Sequence, residues 1–376
     1  MNDAAVLVSQ SGRLTPGLSV LVGAWADGPI STLVSDRSVH GRYYLSPPTV
    51  REVEQHVAAA ADTPSVVVDG EPHPGQLVDL QARLPSITVV DRRRVAWERL
   101  AGNNPVAAIR LSLQEAHLAR RRAANAQRDA ATADPSGTSG TVADCDRRIQ
   151  TLGNRLEREQ AAARRRVRCS HTTVDGYVVL LGPIGAPTTE LWSELVGRKA
   201  TTEVGLPARP TTAQTAVGPH TVAVTDVPEI LGGGGIPQWL EDVVPGLVTA
   251  LERATCVLGA GEDHAALVQS AGDRFEIPYR SLARADATSA RAALDDILPT
   301  VTCAVRLPYS DDTQALVSEL HDRTVVEETA YDDAIYVRIK VARTATDELR
   351  RRVAAIGGEL KQLDPSGDVE GTGSSS

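Results

Sequence analysis

Lysine, phenylalanine and methionine are nearly absent from this chain of 376 residues, which has three lysines, one phenylalanine and one methionine. Its 36 arginines therefore carry almost all of the positive charge, against 48 acidic residues and a formal net charge of −9. No run approaches the roughly 20 apolar residues that a membrane-spanning helix needs, so no membrane association is predicted. The first residues lack a basic start followed by an apolar core, and we expect a cytoplasmic protein.

The four cysteines lie far apart without a CxxC pair, and the eight histidines are equally scattered. This argues against a disulfide framework and against a sequence-local zinc site. No GxSxG, HExxH or GxGxxG motif occurs, so hydrolase and redox chemistry have no support. A hydrophobic content of 42% and a charged content of 23% are typical of a globular protein.

Residues 1–105 are predicted to form an α/β domain, in which short β-branched runs alternate with helical patterns. The predicted strands are Val6–Val8, Ser19–Val22, Ser65–Asp69 and Ile87–Asp91, and the predicted helices are Thr49–Ala61 and Gln76–Leu84. Residues 106–170 are predicted to form a helical hairpin around the glycine-bearing segment Asp134–Gly140, with a second helix over Asp144–Val167.

The hairpin is basic although the protein is acidic. Residues 110–168 contain 13 arginines and seven acidic residues, a net charge of +6, which leaves −15 for the remainder. This asymmetry indicates an anionic partner such as nucleic acid for this segment. The alternative is a solvated helix face on which arginines pair with Glu157 and Glu159 at helical spacing.

Residues 171–300 show the strand, loop and helix order of a P-loop protein. The predicted elements are strand Tyr177–Leu181, loop Gly182–Thr189, helix Glu190–Val196, strand Thr221–Thr225 ending at Asp226, loop Gly232–Gly235, helix Trp239–Ala254 and the apolar run Cys256–Leu258. Residues 301–363 are predicted as a small α+β domain, and the Gly/Ser/Asp-rich residues 364–376 as a disordered tail.

This order of features resembles the HflX-type GTPases, which associate with ribosomes. The matching stretches are Val66–Asp69 through Gln76 and Leu80, Ile87–Arg92, Gly137–Gly140, Asp146–Ile149 with Leu152, Leu307–Ser310 and Val325–Glu328. The resemblance covers nearly the whole chain. It implies an α/β N-terminal domain, a helical hairpin, a GTPase domain and a small C-terminal domain.

The nucleotide-binding motifs of that family are decayed here. In GxxxxGK[ST] the amides and the lysine hold the phosphates and the hydroxyl binds magnesium. Gly182 is kept, but Pro187 replaces the second glycine, Thr188 replaces the lysine, and Thr189 keeps the hydroxyl. Proline has no N–H to offer a phosphate.

The other motifs of the family are also incomplete. The switch threonine aligns with Pro207 and the switch aspartate with Arg209, and the aspartate-to-glycine motif after the second strand begins at Asp226 but ends at Glu229. No asparagine follows Asn154, so the guanine-reading NKxD motif is missing. The sequence therefore predicts a degenerate GTPase-like domain, a pseudo-GTPase, with no bound cofactor.

An alternative prediction is that the protein is still an active nucleotide-hydrolysing enzyme. In it GTP and Mg²⁺ are held by the vestigial residues Gly182, Gly185, Thr188, Thr189 and Asp226, with Thr189 and Asp226 as metal ligands and an arginine in place of the lost lysine. In a purely structural alternative, the Thr189 hydroxyl caps the N-terminus of a helix and Asp226 is a polar residue at the end of a strand. A third alternative is an interaction scaffold that binds no RNA.

The family resemblance implies that the protein binds ribosomal RNA in the large subunit, and not DNA, through its N-terminal domain and the hairpin. Arginines on one face bind phosphates without reading sequence. The candidate rRNA-binding residues are Arg120, Arg121, Arg122, Arg147, Arg148, Arg155, Arg158, Arg164, Arg165 and Arg166, with Gly137 and Gly140 in the glycine-bearing segment.

Overall fold

The computed structural model describes residues 4–15, 17–60, 63–102, 104–133, 139–169, 174–183, 185–197, 210–228, 236, 241, 244–261 and 265–363. Three sheets and one long helical hairpin follow one another along these residues. The predicted α/β class is confirmed. The predicted disordered tail and the segment Gly232–Gly235 lie outside the described residues.

The N-terminal sheet is parallel, with the strand order β2-β1-β3-β4. Its strands are β1 (Ala5–Ser9), β2 (Ile30–Val34), β3 (Ser65–Val68) and β4 (Val89–Asp91), and its helices are α1 (Leu18–Gly23), α2 (Pro47–Ala59), α3 (Pro74–Arg83) and α4 (Arg92–Leu100). Strands β1 and β3 are buried along their whole length. Parallel sheets need helices on both faces, and the continuous apolar runs of β1 and β3 reflect that burial.

The predicted strand at Ser19–Val22 is wrong, because these residues form helix α1. Leu18, Leu21 and Val22 are buried at helical spacing, and Gly17 begins the turn at φ 79°, a conformation open to glycine. Strand β2 was not predicted, because its sequence ISTLV is only half-buried at the sheet edge. Of the two β-branched residues in α1, Val22 is buried and Val20 is exposed, as on a helix with one covered face, so they do not mark a strand.

Helices α5 (Pro105–Ala133) and α6 (Ser139–Cys169) form the predicted hairpin. Val106 and Ile109 of α5 pack with Leu156 of α6, and Leu113 and Leu152 lie against them. Helix α6 begins earlier than predicted, so Gly140 lies in its first turn and not in a loop. Gly137 lies outside the described residues.

The central sheet has the order β6-β7-β5-β8-β9, with β6 antiparallel to β7 and the other pairs parallel. Its strands are β5 (Gly176–Leu181), β6 (Thr211–Val217), β7 (His220–Asp226), β8 (Cys256–Ala260) and β9 (Tyr279–Leu282), and its helices are α7 (Thr188–Val196), α8 (Leu247–Glu252), α9 (Ala265–Phe275) and α10 (Ala287–Ile297). Strand β5 stands at the centre of this sheet.

The predicted continuous helix Trp239–Ala254 is wrong over its middle. Residues 244–246 form a turn, and α8 begins after Gly246, whose φ of 101° is left-handed. A side chain at Gly246 would also approach Cγ2 of Val167 to 2.8 Å. The backbone therefore turns where the end of α6 packs closely against it.

The C-terminal sheet is antiparallel, with the order β11-β12-β10-β13. Its strands are β10 (Thr300–Leu307), β11 (Val325–Tyr331), β12 (Ile335–Ala342) and β13 (Glu359–Leu363), with helices α11 (Asp311–Arg323) and α12 (Thr346–Ala355). Strand β13 was not predicted, because its sequence ELKQL is short and mostly polar. The buried and exposed residues of β12 alternate, as expected for a sheet with one covered face.

All four cysteines are free thiols, as expected from their spacing. Burial raises the pKa of Cys256 to about 12, so this thiol stays protonated and unreactive. Among the described residues, none of the helices combines the length and apolar character needed to cross a membrane.

Asp91 joins three elements of the N-terminal part. Its buried carboxylate accepts the N–H of Arg94 at 2.8 Å, which caps α4, and the side-chain amide of Gln114 on α5 at 3.3 Å. It also pairs with Arg93 at 3.2 Å. A buried carboxylate with several donors is costly to remove, because its partners lose their acceptor.

We expect Asp91→Ala to lower the free energy of unfolding by about 2–4 kcal/mol. The measurement is urea unfolding followed by circular dichroism. Asp27→Ala, at an exposed position, is the matched control and should change the midpoint little. Equal midpoints for the two variants would contradict the role given to Asp91.

Candidate functional site

The predicted nucleotide loop leaves the central strand of the central sheet. Strand β5 ends at Leu181, and the described loop residues 182, 183 and 185–187 follow it. Helix α7 begins at Thr188 and ends at Val196, and Gly197 after it is left-handed at φ 67°. Gly185 has φ 87°, which favours glycine. The position at the carboxyl end of a central parallel strand is where α/β proteins commonly bind ligands.

The loop is closed on itself. The N–H of Ala186 donates to the carbonyl of Pro183 at 3.0 Å, and the N–H of Thr188 donates to the carbonyl of Ala186 at 2.8 Å. A Cβ at Gly182 would lie 2.6 Å from Cβ of Ala186 and 2.8 Å from Cγ2 of Thr188. Two amides and the space above Gly182, which a phosphate cradle would need, are therefore taken by the chain itself.

Thr188, at the position of the lost lysine, is fully buried. Its hydroxyl has no hydrogen-bond partner among the described residues. The side chain points its methyl toward Gly182 and supplies no charge, so it cannot neutralise a β- or γ-phosphate as a P-loop lysine does.

Thr189 and Asp226 are brought together. The Thr189 hydroxyl donates to Oδ2 of Asp226 at 2.8 Å, which joins the first turn of α7 to the end of β7. Asp226 is 2% exposed. These are the positions from which a P-loop hydroxyl and an acidic strand end hold Mg²⁺. Within the described part of the chain, no group of three or more His, Cys, Asp or Glu residues is placed to hold a metal.

The other decayed motifs are only partly described. Pro207, Arg209 and Glu229 lie outside the described residues, whereas Val227 and Pro228, which follow Asp226, are buried. The described loop residues do not fit a P-loop nucleotide site: the amides of Ala186 and Thr188 donate to loop carbonyls, Pro187 has no N–H, and Thr188 is buried. Thr189 and Asp226 are joined by a hydrogen bond, which places these two predicted site residues side by side.

Six candidate arginines lie on one side of α6. With 100° of rotation per residue, Arg147, Arg158 and Arg165 project within about 20° of one another, and Arg148, Arg155 and Arg166 lie within about 100° of them. All six are exposed, and the buried residues Leu156, Gln160 and Val167 lie on another side of the helix. We call these six residues the arginine stripe.

The arginine stripe is largely free of ion pairs. Arg147 pairs with Asp144 within the same helix. For the other five, no ion pair is formed with any described residue. Glu157 and Glu159, the expected partners on a solvated face, make no ion pair within the described part of the hairpin. The stripe is therefore a row of unneutralised positive charge.

The remaining candidate arginines are placed differently. Arg120 donates to Asp146 at 2.5 Å, which links α5 to α6, and Arg164 pairs with Glu241 at 3.3 Å. Arg121 is half-buried against α3. Arg122 is exposed on α5. Arg120, Arg121 and Arg164 thus contribute to the packing of the hairpin.

Sequence reasoning missed two adjoining cavities of about 420 and 360 Å³ between α3 and the hairpin. Both are lined by His73, Gly75 and Arg121, and the second also by His117. Burial lowers the pKa of His117, and the positive charge of Arg120 lowers it further. No local motif points to this place, because its residues come together only through the packing of α3 on α5.

No protein-family model and no curated protein matches this chain. Among solved structures, a GTP-binding protein from Sulfolobus solfataricus in complex with GDP is 14% identical, with 69% of this chain and 70% of that chain covered and a TM-score of 0.35. A complex of SsGBP with GDP gives the same identity and TM-score, with coverages of 69% and 71%.

A further solved structure, the metal-dependent lipoprotein YcdH from Bacillus subtilis, is 10% identical over 79% of this chain and 100% of that chain, with a TM-score of 0.18. At these scores the likenesses add nothing to the strand order described above, and they carry no conclusion about ligands.

The closed loop can be tested with a double-mutant cycle. We expect Gly182→Ala to cost about 1–3 kcal/mol of stability, because the added methyl overlaps Ala186 and Thr188. In the Ala186→Gly background the cost should fall, with a coupling of about 1 kcal/mol. Urea unfolding measures all four proteins.

Gly102→Ala is the matched control, because nothing lies within 4 Å of a Cβ added there. An open loop would give the opposite result: Gly182→Ala would cost no more than Gly102→Ala, and its cost would not depend on residue 186.

Proposed function

We propose that this protein is a ribosome-associated RNA-binding protein of HflX type that docks on the large subunit through its arginine stripe. The central sheet serves as a scaffold that neither hydrolyses nor requires a nucleotide. The observation that carries the proposal is the row of exposed arginines on α6, five of which have no ionic partner among the described residues. The large ribosomal subunit as the partner follows from the family resemblance.

The geometry of the stripe suits a phosphate backbone. From Arg147 to Arg166 the helix rises about 28 Å, at 1.5 Å per residue, so the stripe is long enough to follow several phosphates. Guanidinium groups bind phosphate oxygens in a bidentate manner and stay charged at all physiological pH values. Double-stranded RNA is recognised mainly through its shape and its phosphates, which this surface can contact without reading bases.

The surface also differs from an ordinary solvated helix face. Such a face usually neutralises its charges by pairs at helical spacing, as Arg350 with Asp347 and Arg351 with Glu348 do on α12. The stripe keeps five arginines exposed without such pairs, in a protein whose residues outside 110–168 carry a net charge of −15. Repulsion among these arginines opposes folding and is relieved when an anionic partner binds.

Charge reversal on the stripe tests RNA binding. We expect the quadruple variant Arg148→Glu, Arg155→Glu, Arg158→Glu and Arg165→Glu to bind isolated large subunits at least tenfold more weakly in co-sedimentation. The slope of log affinity against log salt should also fall, by roughly 0.7–0.9 for each phosphate that the variant no longer neutralises. Glutamate and arginine have similar helix propensities, so α6 should stay folded.

The matched control reverses four exposed arginines elsewhere, at Arg51, Arg99, Arg280 and Arg284. It changes the net charge equally and should keep wild-type binding and salt slope. If both quadruple variants lose affinity equally, the interaction depends on net charge and the stripe is not the site. If neither loses affinity, the RNA-binding proposal is wrong and an interaction scaffold becomes the better description.

Nucleotide independence is tested by calorimetric titration of GTP, GDP and ATP, each with Mg²⁺, into the full chain. We expect no binding, because the loop amides donate to the loop carbonyls and no lysine stands at residue 188. Saturable heat that disappears in Thr189→Val and Asp226→Asn would overturn this and favour a divergent NTPase built on the Thr189–Asp226 pair.

A further inference from the structure

A cavity of about 510 Å³ lies between the central sheet and the C-terminal sheet. One side is lined by the turn between β6 and β7 and the strand ends beside it, at Ala216, Gly218, Pro219, His220 and Thr221. The other side is lined by α11, the end of β12 and the start of α12. Its volume falls within the range of about 300–1,000 Å³ that is typical of small-molecule sites, which often form where two structural units meet.

The wall contributed by the C-terminal sheet is apolar. Leu316 and Leu320 of α11, Val341 of β12 and Leu349 of α12 line the cavity and are all buried in the structure. These side chains also belong to the core of the C-terminal sheet, so they are held in place by packing. A preformed apolar wall favours an apolar ligand because little reorganisation is needed.

His220 lines the opposite side of the cavity and is 2% exposed. Its Nε2 atom has no hydrogen-bond partner among the described residues. Burial lowers the pKa of His220, although the nearby Asp175 and Asp295 act in the other direction, so the imidazole is neutral at neutral pH. A buried polar atom without a partner costs free energy that a hydrogen bond to a ligand would recover.

The charged groups around the cavity have hydrogen-bond or ionic partners within the protein. Asp175 accepts the N–H of Thr221 at 2.7 Å and the hydroxyl of Thr344 at 2.6 Å, which ties the two sheets together. Glu319 and Arg352 form a two-point ion pair between α11 and α12. Glu348 pairs with Arg351. An anionic ligand would therefore lose hydration beside these carboxylates without gaining an unpaired cation.

We infer that this cavity is a binding site for an uncharged small molecule with an apolar body and one hydroxyl or amide group. The apolar body packs on the leucine wall, and the polar group forms a hydrogen bond with the imidazole of His220. Because the ligand would contact both sheets, its binding stabilises their packing together. This site is distant in sequence from both the arginine stripe and the closed loop, and it does not depend on the proposed RNA binding.

The test uses 1-naphthol as the probe and naphthalene as its counterpart without the hydroxyl. The full chain is labelled at the histidine Cε1 positions, and the His220 signal is identified by its loss in His220→Gln. We expect 1-naphthol to shift the His220 signal saturably, with naphthalene binding about 2- to 10-fold more weakly, the factor that one hydrogen bond contributes.

Blocking the mouth of the cavity provides the site control. Ala345 lines the cavity but is exposed, so Ala345→Trp should fill the mouth without disturbing the core. Ala283→Trp, at an exposed alanine after β9, is the matched variant. We expect binding of 1-naphthol to weaken at least tenfold in Ala345→Trp and to stay unchanged in Ala283→Trp, with thermal unfolding confirming that both are folded.

Three results would overturn the inference. The His220 signal could stay unmoved at millimolar 1-naphthol, which would mean that the cavity takes no such ligand. Equal affinities for 1-naphthol and naphthalene would mean that the ligand forms no hydrogen bond with His220. Wild-type binding by a folded Ala345→Trp would place the probe elsewhere; if that variant does not fold, Ala216→Phe, at an exposed residue on the opposite rim, makes the same test.

Discussion

The burial of strand β5 on both faces is the constraint on which the arrangement of the molecule depends. Val178 and Leu180 enter one hydrophobic core and Val179 and Leu181 enter the other, so this one strand supports both sides of the central sheet. A strand with alternate residues in two cores cannot shift its register by one residue without exchanging its faces. The loop that follows it is thereby fixed at the carboxyl edge of the sheet.

The same core reaches the hairpin. Val167, near the end of α6, packs in the core that holds Val179 and Leu181, and Arg253 donates to the carbonyl of Val167 at 2.6 Å. The base of α6 is thus attached to the central sheet, while Asp91 holds α5 to the N-terminal part through Gln114. The hairpin is anchored at its base on two sides, and the arginine stripe extends from that anchor.

Much of the architecture was predictable from the sequence. The apolar run Tyr177–Leu181 forms a buried strand as predicted, and Leu152 and Leu156 of the predicted helix Asp144–Val167 pack against α5. Elements at sheet edges were harder, because β2 and β13 bury little and lack a clear alternation. Helix α1 was misassigned because Val20 and Val22 are typical of strands, although here they belong to a short helix with one buried face.

The candidate site likewise has features that the sequence predicts and features that only the tertiary structure shows. The replacement of the P-loop lysine by Thr188 and of the second glycine by Pro187 can be seen directly in the sequence. Closure of the loop depends on the packing of Ala186 and Thr188 over Gly182, which no motif encodes. The neutralisation of Arg120 by Asp146 and the isolation of His220 beside a leucine wall likewise arise from residues far apart in the chain. Spacing along the chain predicts faces of helices, but it does not predict which charges meet a partner.

The spacing of the arginine stripe along α6 fixes the side of the helix on which the positive charge lies. Arg147, Arg158 and Arg165 are separated by 11 and 7 residues, close to whole numbers of turns, so their backbone positions follow one line along the helix with rises of about 16 and 10 Å. One inserted residue between Arg158 and Arg165 would rotate the second half of the row by about 100° without altering any charge. The surface is thus defined by helical phase as much as by composition.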